Sequence, residues 1–375
     1  MTLINTKPPI RACVAQAFAC SVILATLGSS LARATEKVSP QGTLAFAVTD
    51  WAWAVYDTKD RKAECPAGVN VGSRVQIKAL YEGIKGGSKA DYMQMQLKRE
   101  AANVFPMTLE QPLPWREVQG PTGYGLNLDG KVGPHDFVTP TGEHGIDNQL
   151  YRVIGCTLGF REVDNGTLQR LARTNTRKWD FNRLLLEVTG IDDMVHDEAV
   201  EVTVYRGLNR LVMDGNDEPL PGTTQRIDYQ RGAKFIQHLK GRIVDGVLVT
   251  EPKDFIFPWI TLSGWQSGTI ELIRGGRFHL KLTSQKAEGL LGGYADIDTW
   301  HSNLIRNLYT GRQNLDGLDA PAMYRSLVRN ADGYPDPETG AFTAISAALN
   351  VSLVQVHLLH APELQANNLA PSVSK

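Results

Sequence analysis

The run Ile243-Val244-Asp245-Gly246-Val247-Leu248-Val249 constrains this chain more than any other segment. Two apolar, β-branched stretches meet at an Asp-Gly pair, the residues a two-residue hairpin turn demands, so at least part of the chain folds as antiparallel sheet. The same alternation recurs elsewhere. In residues 43–56, Leu44, Phe46 and Val48 alternate, and Trp51, Trp53 and Val55 alternate in the opposite phase; a bulge or bend near Thr49-Asp50 keeps both sets buried. Further strands are predicted at 150–160, 182–190 and 199–213, and a closing strand at Val351 to Leu359. Asp164-Asn165-Gly166 reads as a hairpin turn, and Leu272 to Leu282 as a hairpin turning at Gly275-Gly276, with Phe278, Leu280 and Leu282 inward and Arg277, His279 and Lys281 outward.

Helical signals are fewer. Ser88-Lys89-Ala90-Asp91 resembles a capping box ahead of Tyr92, Met93, Leu97, Ala101 and Val104, which predicts a helix over 89–104. Asp296 can cap a helix whose Ile297, Trp300, Leu304 and Leu308 share a face, and Asp319 a second with Met323, Leu327, Val328 and Ala331 inside. Residues 106–149 are loop-rich, and a loop of that length in a compact domain is often functional. Short strands, tight Gly turns and few helices predict a mainly β fold, an antiparallel β-sandwich or barrel-like domain with a few peripheral α-helices.

The amino terminus points to export. Lys7 and Arg11 precede a mostly apolar stretch from Ala12 to Leu27, then Gly28-Ser29-Ser30 and Ala32-Arg33-Ala34. That order is a secretory signal peptide with an A-x-A cleavage site, which predicts a secreted or periplasmic chain starting at Thr35. Cys20 lies inside the apolar stretch, not at its end as a lipobox cysteine would. Cleavage leaves 341 of the 375 residues: one β-rich domain over 35–360, with room for two sub-lobes, and a frayed tail over 361–375. The leader removes three of the 39 basic residues and none of the 40 acids, so the mature net charge is near −4. The basic surface of a nucleic-acid binder is not evident, and no segment after the leader is apolar for long enough to span a bilayer.

Two cysteines remain after cleavage, Cys65 and Cys156, an even pair in an oxidising compartment. A disulfide between them is the simplest reading; two separate buried thiols are the alternative. There is no C-x-x-C for dithiol redox chemistry.

No motif names a reaction. Gly125-Leu126-Asn127-Leu128-Asp129-Gly130-Lys131-Val132 lacks the hydroxyl after its lysine, and Gly133-Pro134 blocks the helix a phosphate loop opens, so it reads as a turn. Gly264-Trp265-Gln266-Ser267-Gly268 misplaces its glycines for a nucleophile elbow. His135-Asp136 with Glu143-His144-Gly145-Ile146-Asp147-Asn148 is the densest polar cluster. His135, His144 and Asp147 could hold a divalent metal, or could simply populate an exposed loop that Asp147-Asn148 turns into the next element. Asp192-Asp193 with His196-Asp197-Glu198 reads as a solvated inter-strand loop. The segment Asn330 to Gly340 is the best calcium candidate, with Asn330, Asp332, Asp336 and Glu338 as oxygen donors, although it departs from the EF-hand pattern and also reads as a plain helix-to-strand loop. His279 reads as surface and His301 as packed. Seven tryptophans, Trp51, Trp53, Trp115, Trp179, Trp259, Trp265 and Trp300, could include a sugar-stacking face, although tryptophan is more often core.

These features predict an exported, disulfide-containing protein with a binding or structural role in the cell envelope or outside the cell, its partner a glycan or an envelope protein. The second reading is a secreted metal-dependent hydrolase. A convergent pocket holding His135, His144 and Asp147 would favour the enzyme, and a flat aromatic-lined sheet face would favour glycan binding.

Overall fold

The structure is a computed structural model that describes residues 42–57, 65, 69, 82–83, 86–109, 115–161, 167–179, 183–258, 270–310 and 320–360. Residues 1–41, which include the expected leader, the turn expected at 164–166, Asp319, Trp259, Trp265 and the residues from 361 lie outside the described residues. No helix among those described is long and apolar enough to cross a membrane.

The described strands are β1 (Leu44–Trp53), β2 (Leu184–Thr189), β3 (His196–Arg206), β4 (Thr223–Arg226), β5 (Gln237–Val244), β6 (Val247–Thr250), β7 (Lys253–Pro258), β8 (Ile270–Leu282), β9 (Lys286–Asp296), β10 (Gly333–Pro335) and β11 (Phe342–Leu359). β1, β2, β3, β5, β6, β8, β9 and β11 pair in that order, each antiparallel to the next, and β11 pairs back onto β1. The sheet therefore closes as an eight-stranded antiparallel barrel. β4 runs parallel to the end of β11, while β7 pairs β8 and β10 pairs β11.

Eight strands leave an interior that side chains fill. Alternate residues supply them: Leu44, Phe46 and Val48 from β1, Leu184, Leu186 and Val188 from β2, Val200, Val202 and Val204 from β3, and Ile345, Ala347, Leu349 and Val351 from β11. The expected break in β1 is a bulge between Val48 and Asp50, and it returns Trp51 and Trp53 to the inside, both under 3% exposed. A second apolar cluster of Ala45, Ala47, Leu185, Tyr205, Leu211, Ile227, Tyr229, Val354 and Val356 covers the outer face of β1, β2, β3 and β11. Strands covered on both faces read as continuous apolar runs, which explains Leu184-Leu185-Leu186.

The 243–249 hairpin forms as expected, with Asp245 and Gly246 both at positive φ, 52° and 77°. The Gly275-Gly276 hairpin does not. β8 runs straight through it, and residues on both sides pair the same strand, Arg274 with Tyr294 and Arg277 with Gly292. Gly275, at φ 57°, makes a bulge: a glycine at positive φ serves a bulge as readily as a turn. Phe278, Leu280 and Leu282 do point inward, while His279 is half-buried rather than on the surface.

Five helices are described: α1 (Lys89–Ala101), α2 (Gln149–Ile154), α3 (Thr167–Lys178), α4 (Ile297–Thr310) and α5 (Ala320–Arg329). The capping box of α1 forms, with Ser88 Oγ accepting from Asp91 N–H at 3.1 Å and Asp91 Oδ2 from Ser88 N–H at 3.2 Å. The strand expected at 150–160 is instead α2 followed by a 3-10 turn at Leu158–Phe160. Leu150, Tyr151, Val153 and Ile154 suit either periodicity, and Asn148 decides by accepting the Tyr151 N–H at 3.3 Å as a helix cap. The sequence reading missed α3, whose polar composition hides it; Arg173 to Asp50 (2.7 Å) and Gln169 Nε2 to the Trp53 carbonyl (2.8 Å) fasten it to β1. α4 follows β9 directly, with Asp296 Oδ1 accepting the Thr299 N–H at 3.0 Å, and its Trp300 meets Trp53 edge-on at 6.0 Å. In α5, Met323 and Leu327 are buried but Val328 is 38% exposed. His301 is packed, its Nε2 3.0 Å from the Ala320 carbonyl.

Cys65 and Cys156 form a disulfide, with Cα atoms 5.5 Å apart across a sequence separation of 91.

Candidate functional site

The long segment 115–148 is not a free loop but a wall laid against the outside of the barrel. Short bridges fold it on itself, Thr122 with Val138, Leu126 with Asp147 and Phe137 with Ile146. Phe137 and Ile146 are fully buried, Leu126 packs on Gly292 of β9, and Arg277 of β8 donates to the Leu128 carbonyl at 2.9 Å. Asn148 Nδ2 donates to the carbonyls of Ala54 (3.0 Å) and Tyr124 (2.7 Å), tying the wall to the end of β1. The His135 carbonyl accepts from Gln149 Nε2 (2.8 Å) and from Arg152 (2.9 Å), whose guanidinium lies 4.2 Å above the Phe137 ring.

A second piece of chain completes the site. The turn after α5 carries Asn330, Ala331 and Asp332 back to the barrel before β10. Glu117 Oε1, on the wall, accepts from Ser326 Oγ at 2.7 Å, Asn330 Nδ2 at 2.9 Å and Arg329 Nε at 3.1 Å. Asp332 accepts from the Ser346 N–H and Oγ, each at 2.6 Å, and Ser346 Oγ accepts in turn from Gln149 N–H at 2.8 Å. One relay thus joins α2, β11 and the α5–β10 turn.

Between these pieces lies a cavity of about 700 Å³, lined by Glu117, Val118, Gln119, Asp129, Pro134, His135, Asp136, Asp147, Gln149, Arg152, Tyr294, Arg329, Asn330, Ala331 and Asp332. It brings together residues from both clusters that the sequence singled out, His135, Asp136 and Asp147 from one and Asn330 and Asp332 from the other. It does not gather all of either. His144 is exposed and outside the lining. Asp336 and Glu338 lie outside the lining too: Asp336 Oδ1 accepts the N–H groups of Thr339 (2.8 Å) and Glu338 (3.1 Å) in the turn between β10 and β11, which holds its carboxyl below the ordinary range. Among the described residues no group of three His, Cys, Asp or Glu side chains is disposed to hold a metal ion.

The electrostatics are set by crowded carboxylates. Burial is the main cause that pushes Asp332 up to about 6; the nearby Asp147 adds to it, and the Ser346 hydrogen bonds pull the other way. Asp147 is raised too, again by burial first, against the pull of the Leu128 and Asp129 N–H groups that its Oδ2 accepts at 2.6 and 3.3 Å. Burial also pushes the Tyr294 hydroxyl above its usual range, helped by the charges of Asp147, Asp332 and Asp129, so it stays a neutral donor.

The sequence reading did not single out Glu117, Gln119, Arg152, Tyr294 or Arg329. None sits in a local motif; each reaches the cavity through tertiary packing. The only trace is Gly292-Gly293-Tyr294, where small residues let wall and strand approach. The tryptophans make no shared exposed face among the described residues: Trp51, Trp53, Trp115 and Trp300 are buried, and Trp179, 43% exposed, has Arg210 over its ring at 5.1 Å. The acidic group at 192–198 is only partly the inter-strand loop expected: Asp192 and Asp193 lie in the exposed turn, while His196, Asp197 and Glu198 open β3, and Asp197 accepts the N–H groups of Asp192 (2.7 Å) and Ala199 (3.0 Å). No protein-family model, curated protein or solved structure matches this chain, so the reading of the site stands on its geometry.

Proposed function

We propose that this is an exported binding protein whose cavity takes a saccharide. One observation carries the reading: two segments about 180 residues apart converge on a single cavity whose lining side chains are mostly hydrogen-bonding. Small-molecule sites are mostly apolar with a few placed polar groups. Here carboxylates (Asp129, Asp136, Asp147, Asp332), amides (Gln119, Gln149, Asn330) and a guanidinium (Arg329) surround a lining in which only Val118, Pro134, Ala331 and the Tyr294 ring are apolar. Carboxylates and amides of this kind have lone pairs and protons for adjacent hydroxyls on a sugar ring, and several are held in place from behind, Asp332 by Ser346 and Asn330 by Glu117. The leader sequence supports a location where such glycans occur.

Isothermal titration against glucose, galactose, mannose and N-acetylglucosamine, with cellulose- and chitin-derived oligomers, tests this. Binding by at least one, weakened about ten-fold or more by His135→Ala and by Asp332→Asn, is expected. No heat with any sugar, or binding that both variants leave untouched, would refute it. The same titrations analysed for cleavage products test the hydrolase reading.

A further inference from the structure

A second cavity of about 520 Å³ adjoins the first. It is lined by Cys65, Trp115, Arg116, Glu117, Gln119 and Arg329, and the first cavity shares Glu117, Gln119 and Arg329 with it. The two meet along one ridge, built from the 117–119 stretch of the wall and from the last turn of α5.

The ridge is half fixed and half adjustable. Glu117 is fixed, 15% exposed and held by Ser326, Asn330 and Arg329. Arg329 is adjustable, 56% exposed on a long side chain. The pair is exposed on the Arg329 side only, and Glu117 keeps Ser326 and Asn330 as donors, so the guanidinium can turn to a ligand while the carboxylate stays hydrogen-bonded.

The chemistry changes across the ridge. On one side lie Asp129, Asp136, Asp147 and Asp332. On the other, the wall is the Trp115 indole, Arg116 and the disulfide. Trp115 is buried, 8% exposed, with its indole N–H on the Val153 carbonyl at 3.0 Å, so only a strip of the ring backs this side, beside the half-buried Arg116. An apolar strip beside a guanidinium suits a further hydroxyl-bearing unit of a ligand already seated in the first cavity.

We infer that the ligand is a saccharide chain of at least two units, with one unit in the carboxylate-lined cavity and the next lying past Glu117 and Arg329 against Trp115 and Arg116. This rests on the saccharide reading of the first cavity and adds chain length as the selected property.

The test is a length series on the full secreted chain: N-acetylglucosamine, chitobiose and chitotetraose, and glucose, cellobiose and cellotetraose, titrated by calorimetry. The dimer or tetramer of one series should bind about ten-fold tighter than its monomer. Arg116→Ala, at a half-buried position and with an unchanged circular dichroism spectrum as its folding control, should remove that gain, and Asp332→Asn should weaken every member. Equal affinity for monomer and tetramer, with Asp332→Asn still weakening both, overturns the extension and leaves the saccharide reading standing. A length gain that Arg116→Ala does not touch also overturns it. No binding by any sugar overturns both.

Discussion

Two Ser346 donors hold Asp332 at 2.6 Å, yet its carboxyl still titrates near 6 because burial and Asp147 outweigh them. The folded state therefore binds a proton that the unfolded chain, near 3.8, has already lost. By linkage, the stability this group confers is fully present below the unfolded value and is lost as pH rises through about 6. A shift of roughly two units corresponds to about 3 kcal/mol. Asp332→Asn, which keeps the Oδ1 acceptor and removes the titration, should thus gain about 2–2.5 kcal/mol relative to the unmodified protein between pH 4 and pH 7 in urea unfolding. A constant difference across that range would show that Asp332 does not titrate there. Gly333 offers a second test, of geometry. A Cβ there would clash with the Tyr294 ring. Gly333→Ala should cost about 1–3 kcal/mol and weaken saccharide binding through a displaced Tyr294; unchanged stability and binding would mean that the ring moves freely. At this scale the sequence shows which acids lie in loops, but not that Asp147 and Asp332 share a cavity. Their proximity arises from the Ser346–Gln149 relay, which joins residues 197 positions apart.

Local patterns became elements wherever one partner sufficed to satisfy them. The 243–249 hairpin and the capping box at Ser88 each close within a few residues, and both form. The bulge near Thr49 forms too, but against the distant β11, because only a break in phase keeps both apolar sets of β1 inside. Patterns failed where two structures suited the same residues. Gly275-Gly276 fits a turn and a bulge, and β9, pairing on both sides, selects the bulge. Leu150 to Ile154 fits a strand and a helix, and Asn148 selects the helix. Asn148 therefore holds more than an ordinary cap. Its Oδ1 serves α2 while its Nδ2 serves the carbonyls of Ala54 and Tyr124, and the residue is 2% exposed. Loss of a cap costs about 1 kcal/mol, and each buried group left unpaired about 1–3 kcal/mol more. Asn148→Ala should destabilise by about 3 kcal/mol or more in denaturant unfolding, whereas Asn148→Asp, which keeps the cap acceptor but cannot donate, should recover only the cap portion. Equal effects from both variants would assign the whole cost to the two carbonyls.

The barrel strands carry the fold, and two insertions carry the site. The β2–β3, β5–β6 and β8–β9 connections are short, but the chain between β1 and β2 runs from residue 54 to residue 183 and holds α1, α2, α3 and the wall. The chain between β9 and β11 holds α4, α5 and the Asn330–Asp332 turn. Antiparallel β character was legible in the 243–249 hairpin and in the alternation of segments such as Phe278 to Leu282; the cavity was not, because neither insertion forms it alone. The disulfide lies wholly within the first insertion, and Cys65 lines the second cavity. In the chain-entropy account a closed loop of this length stabilises by roughly 4–5 kcal/mol, less any native-state strain. The strands, whose neighbours are set by register and interior packing, do not depend on it for their pairing. Reduction, or paired Cys65→Ser and Cys156→Ser, should therefore act unevenly. The β signal in far-ultraviolet circular dichroism should persist, the denaturant midpoint should fall, and saccharide binding should drop before the barrel unfolds. Binding and β signal lost together along one denaturant curve would mean that insertion and barrel unfold as one cooperative unit, and that the disulfide stabilises the whole molecule rather than the wall of its site.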